Sequence, residues 1–118
     1  MRKIYLATPY SDPDPEVQNR RFEQVNRVAS LLMAKGYLVF SPISHTHPIA
    51  LAGELPKEWG FWRDYDFTFI GDWADAVFVL RLDGWAESIG VQAEIKLAEE
   101  IGKPVAYLAP EDFGIENK

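Results

Sequence analysis

The residues whose types and spacing could do chemistry gather in one stretch, Asp75 to Gly102, which reads DAVFVLRLDGWAESIGVQAEIKLAEEIG. Asp83, Gly84, Trp85, Glu87, Ser88 and Gly90 fall between an apolar run and a segment whose apolar residues recur every three or four positions. That pattern predicts a strand, a polar turn and a helix, and in open α/β sheets ligands sit at that edge. Glu94 follows Gly90 by four residues, so the two share a helix face. The backward tilt of helical side chains aims the carboxylate over the glycine and into the turn. Six residues separate Ser88 from Glu94, an axial rise of about 9 Å. An anion at the helix start would therefore leave the rest of a small ligand within reach of the acid.

Each of these residues also has a plainer reading. By spacing alone Glu94 is a solvated helix acid like Glu99 and Glu100, and Ser88 is an N-cap serving a backbone N–H. A phosphate-holding Ser88 is compatible with that cap, since helix N-termini attract anions. Asp83 stands where a receiver domain keeps its phosphoryl acceptor, but Thr8-Pro9-Tyr10 follows the first strand in place of the acids such a domain needs. His45 and His47 make at most two ligands of a zinc site, and the chain has no Cys and no other His. Hydrogen bonding to substrate or within the loop suits them better, and Thr8, Tyr10 and His45 join Ser88, Gly90 and Trp85 as substrate-binding candidates.

The elements that must position these residues read as alternating strands and helices. Lys3–Ala7 is a buried strand; Asp14 caps a helix with Pro15 at its first position, an apolar stripe of Phe22, Val25, Val28 and Leu32, and a stop at Gly36. Tyr37–Phe40 is the second strand. Ser41 to Pro48 reads as a loop, because two prolines forbid regular strand pairing across it. A weaker helical region runs from Leu55 to Trp73, its aromatics divided between core and a stacking wall for a base, with core the safer reading for most. The strand Ala76–Leu82, a helix from Ser88 to Ile101 and a last strand Val105–Leu108 complete the pattern. The fold class is α/β: a three-layer, flavodoxin- or Rossmann-like parallel sheet of four or five strands with helices on both faces, the Tyr5 strand beside the Ala76–Leu82 strand at its centre. Residues 1–110 form one domain and 111–118 a frayed tail or oligomer contact.

Composition bounds the function. With 118 residues, no Cys and 47% hydrophobic content, the core alone must stabilise the domain, in a reducing, cytoplasmic setting. The opening apolar run is too short for a signal peptide and no stretch approaches the length of a membrane span. A net charge of −6 argues against duplex nucleic acid as partner, while leaving room for a small anionic ligand.

The opening IYLATPY, the loop SPISHTHPIA and above all GWAESIGVQAE resemble the nucleoside 2-deoxyribosyltransferase superfamily, in particular a branch of small bacterial and phage proteins described as a domain of unknown function. The likeness runs from Lys3 to Leu108 and rests on the Trp85, Ser88, Gly90, Glu94 pattern. It implies that Glu94 is the nucleophile attacking the anomeric carbon of a 2-deoxyribosyl group and that Tyr5 orients it. Ser88 is similar to the serine that holds a 5′-phosphate in nucleotide N-glycosidases, where the transferases carry an aspartate, so the resemblance leans toward a nucleotide and hydrolysis. An aspartate before the central strand assists the leaving base in the relatives; Asp64 and Asp66 both qualify, and Asp66 is preferred. The expected activity is an N-glycosidase, or an N-deoxyribosyltransferase, acting on a nucleoside 5′-monophosphate or nucleoside through a covalent glycosyl–glutamate. Glu94 would be ionised, Asp66 would protonate the departing base, and water or a second base would resolve the ester. No metal or cofactor is called for, and the relatives imply a homodimer or higher homo-oligomer. The rival expectation is a non-catalytic nucleotide-binding module of the same fold, which would not need Glu94. The base, the sugar's 2′ substituent, and the acceptor stay open at this level.

Overall fold

The computed structural model describes residues 2–116. The elements are β1 (Lys3–Ala7), α1 (Pro15–Ala34), β2 (Leu38–Phe40), α2 (Pro42–Gly53), α3 (Trp59–Thr68) running into a π-helical turn (Phe69–Trp73), β3 (Ala76–Leu80), α4 (Ile89–Glu100), β4 (Val105–Leu108) and a 3₁₀ turn (Pro110–Phe113). The four strands form one all-parallel sheet in the order β2-β1-β3-β4, with Tyr5 paired to Val77 and Ala7 to Val79. The expected centre, the Tyr5 strand beside the Ala76 strand, is therefore present.

Alternation along β1 and β3 divides the core in two. Ile4, Leu6, Phe78 and Leu80 face α1, where Val25, Val28 and Leu32 close the layer. Tyr5, Ala7, Val77 and Val79 face the other way, against Val91, Ile95 and Ala98 of α4 and Ile70 of the π turn. Both central strands are buried on both faces, as parallel strands covered by crossover helices must be. From β1 the chain crosses to β2 on one side and from β3 to β4 on the other, so the crevice beyond the carboxyl ends of β1 and β3 is the topological switch point of the sheet.

Two expectations are corrected. Ser41 to Pro48 is not a loop: Ser41 caps α2 by accepting from the Ser44 N–H at 3.4 Å, and Pro42 takes the first helical position, where its missing N–H costs nothing. Pro48 lies inside the helix and removes only the bond that would return to Ser44, which the helix tolerates. The second concerns the C-terminal segment, which is docked through residue 115 rather than frayed: Ile115 is buried and Phe113 packs beside it on the α1 side of the core. The last two residues of that tail lie outside the described residues. The weaker helical region resolves into α3 and the π turn, whose wide ring is closed by the Ala74 N–H on the Phe69 carbonyl at 2.9 Å. Among the described residues no helix is long and apolar enough to cross a membrane.

Candidate active site

A cavity of about 470 Å³ opens at the switch point, a size typical of small-molecule sites. Two carboxyls, Glu94 and Asp66, line it, and a third ionisable side chain, Tyr5, lies behind Glu94; the three come from three elements. Glu94 lies on the inward face of α4, flanked by the buried Val91, Ile95 and Ala98, and is only 4% exposed. Tyr5, fully buried on β1, donates its hydroxyl proton to Oε2 of Glu94. Asp66, on the last turns of α3, is buried too, and its Oδ1 has no hydrogen-bond partner.

Burial governs the electrostatics of this trio. It raises Glu94 well above the ordinary carboxylate range, and the neighbouring Asp66 charge raises it further, against the opposing bond from Tyr5. Asp66 is pushed up to about 7 by burial, with Tyr5 again pulling it down. Burial and the two carboxylates hold the Tyr5 phenol well above its usual value, so it remains a donor. Two carboxyls in one dry site cannot both ionise easily, so burial favours their sharing a proton. The Asp66 charge adds to the rise of Glu94 while Tyr5 opposes the rise of both, so in the free site the shared proton rests on Glu94.

The rim is built from loops. Ser88 caps α4, its Oγ accepting from the Val91 N–H at 3.2 Å, and it faces the cavity together with Gly90. Gly90 leaves room for a neighbour: a Cβ there would meet the Trp59 indole at 3.1 Å, so α3 begins by resting on the first turn of α4. Thr8 also lines the cavity, and its buried Oγ1 is, with Asp66 Oδ1, one of two buried side-chain atoms without a partner among the described residues. Tyr10 lines it and bonds through its hydroxyl to Nδ1 of His47.

Of the residues singled out from the sequence, Glu94, Tyr5, Asp66, Ser88, Gly90, Thr8 and Tyr10 thus converge on one place. Two do not. Trp85 packs on Tyr107 at 5.7 Å under the Arg81 guanidinium, outside the cavity, because the tight turn at Gly84 swings it back over the sheet. His45 is exposed and stacks near Tyr65 at 6.3 Å; its partner in sequence, His47, is the one that faces the cavity. Asp64, the alternative to Asp66, is exposed.

Several contributors had no signal in the sequence read as a loop. Once 42–53 is a helix, Ile43, His47 and Ala50 share one face, and that periodicity selects His47 over His45. Lys57 reaches the cavity from the α2–α3 connection, its Nζ donating to Gln18 Oε1 at 3.1 Å. Arg21 donates to the carbonyls of Tyr10, Ser11 and Asp83 at 3.3, 3.1 and 3.0 Å, tying the loop after β1 to the loop after β3. Among the described residues no group of three His, Cys, Asp or Glu could hold a metal ion.

The family model that matches this chain, over residues 2–109, is described as Domain of unknown function (DUF1937). The chain belongs to that family. The matched span contains all four strands and every cavity residue named above, whereas the docked Phe113 and Ile115 lie beyond it. No curated protein matches the chain.

Proposed function

We propose that this DUF1937 protein is an N-glycosidase, or an N-deoxyribosyltransferase, that cleaves a nucleoside 5′-monophosphate or nucleoside through a covalent glycosyl–Glu94 intermediate. The observation that carries the reading is the pair of buried carboxyls, Glu94 and Asp66, on the wall of an open cavity, with the buried Tyr5 hydroxyl bonded to Glu94 from behind. Retaining glycosyl transfer needs a carboxylate to attack the anomeric carbon and an acid to protonate the leaving group. A carboxyl pair sharing one proton supplies both once that proton stands on Asp66: Glu94 is then the ionised nucleophile fixed by Tyr5, and Asp66 the acid. Ser88 and the first amides of α4 suit a 5′-oxygen or phosphate.

A module that only binds nucleotide has no use for two carboxyls buried side by side, because such a pair costs stability without a partner cation. That asymmetry favours the enzyme. The same reading includes a homo-oligomer, supported by Ile89, 74% exposed beside the cavity mouth, and Phe61, 48% exposed on α3; sedimentation velocity giving a monomer at micromolar concentration would remove it.

The test is to incubate the protein with a panel of nucleosides and their 5′-monophosphates and follow free base by chromatography. Base release that Glu94→Gln lowers by about a thousandfold or more, with binding retained, is the expected result. Turnover by Glu94→Gln near that of the parent would sink the reading, and a panel without any base release would leave the binding module as the better account.

A further inference from the structure

The α2 side of the cavity has a consistent hydrogen-bonding polarity. His47 is 5% exposed and offers Nδ1 to the Tyr10 hydroxyl. With the phenol as the donor to Nδ1, the imidazole proton stands on Nε2, and that tautomer is part of the inference. Nε2 has no protein partner among the described residues and is not one of the buried orphan atoms, and His47 is a lining residue of the cavity. Beside it stands Lys57, close enough for its charge, after burial itself, to hold His47 below its ordinary value and therefore neutral. Only one of the three ammonium protons is used, by the neutral amide of Gln18. The Glu58 carboxylate, next in sequence, is exposed at the rim. The walls between these donors are flat and apolar: Ile43 and Ala50 from α2, Trp62 from α3.

We propose that this slot takes the base, and that His47 Nε2–H and Lys57 Nζ select bases presenting acceptors on that edge, the oxo bases such as hypoxanthine, guanine and uracil, over the amino bases adenine and cytosine. The inference rests on the glycosidase reading in one respect: Asp66, as the acid for the leaving group, puts the base on the α2–α3 side and the sugar toward α4. Discrimination then follows from donor and acceptor placement. A guanine edge offers O6 and N7 and a thymine edge O4, whereas adenine and cytosine carry an exocyclic amino group at that position. An amino group facing these donors would leave at least one of them unpaired, since adenine's N7 can still accept one bond, and sites built to hydrogen-bond a carbonyl reject such a mismatch. Tyr10 acts at one remove, as the positioning residue that fixes the tautomer.

The experiment is isothermal titration of the Glu94→Gln protein, which holds ligand without turnover, with inosine against adenosine and with their 5′-monophosphates, repeated on the parent protein. Inosine ligands should bind at least about tenfold more tightly. His47→Phe, which keeps the ring and removes the donor, should reduce the ratio to below about threefold, and Tyr10→Phe should reduce it part of the way. If His47→Phe fails to fold, Lys57→Met carries the test, and nitrogen NMR of the parent's imidazole reads the tautomer directly. Equal binding of adenosine, a ratio that survives His47→Phe and Lys57→Met, a proton found on Nδ1, or no binding of any member of the panel would each overturn the inference. An oxo preference in binding without base release would overturn the glycosidase reading alone; base release without the preference would overturn this inference alone.

Discussion

A buried hydroxyl with no partner has been stripped of water for nothing in return, unless a ligand supplies the missing bond. Thr8 Oγ1 is such an atom, and it sits at the carboxyl end of β1 on the cavity wall. Thr8→Val replaces the hydroxyl by a methyl of the same shape. Chemical denaturation of the free protein should show it as stable as the parent, or more stable by about 1 kcal/mol, since no bond is lost. Titration with the nucleotide that binds best should show about a tenfold loss of affinity, the worth of one hydrogen bond in a dry site. A variant that loses stability and keeps affinity would mean that Thr8 serves the fold.

At the scale of elements, the site depends on one long-range tie. Arg21, on α1, spends its guanidinium on three carbonyls from two loops, and Gly84 is where it passes closest: at φ +91 the backbone already favours glycine, and a Cβ would stand 2.9 Å from the guanidinium. Arg21→Met keeps the stem and removes the fork. Stability should fall by about 2–4 kcal/mol, and hydrogen exchange should quicken in Thr8–Asp14 and Asp83–Ser88 together while the strands stay protected. Quickening in only one loop would mean that the tie does not couple them. Nothing in the sequence flags Arg21, because its partners are backbone carbonyls distant in sequence. What was legible was local: Asp14-Pro15 as a helix start, Ser88 as a cap, Gly36 and Gly102 as stops, the buried runs of β1 and β3. The helix α2 is not legible, because its prolines read as strand breakers, and without it nothing selects His47 over His45. Trp85 was misplaced for the opposite reason: its proximity in sequence to Ser88 said nothing about which side of the turn it would take.

For the whole molecule, the trio makes the site and the stability of the fold compete. Asp66 has an ordinary value of 3.8 and is pushed up to about 7 in the folded protein, so between those limits the folded chain holds a proton that the unfolded chain has released. Stability therefore falls as pH rises through that window, by about 4 kcal/mol for a shift of about three units, and Glu94, raised in the same direction, adds to the loss. Few domains can spare so much, which is why the pair points to chemistry rather than architecture. Asp66→Asn removes the titrating group and keeps the shape. Denaturant melts from pH 4 to pH 8 should give parent and variant nearly the same stability at the acid end, with the variant ahead by up to about 4 kcal/mol at the alkaline end. Base release by the parent should decline above about pH 7 as Asp66 loses its proton, and the variant should be slower by about a hundredfold or more with no such decline. Parallel stability curves would mean that Asp66 titrates near its ordinary value, and the acid would have to be sought elsewhere on the cavity wall.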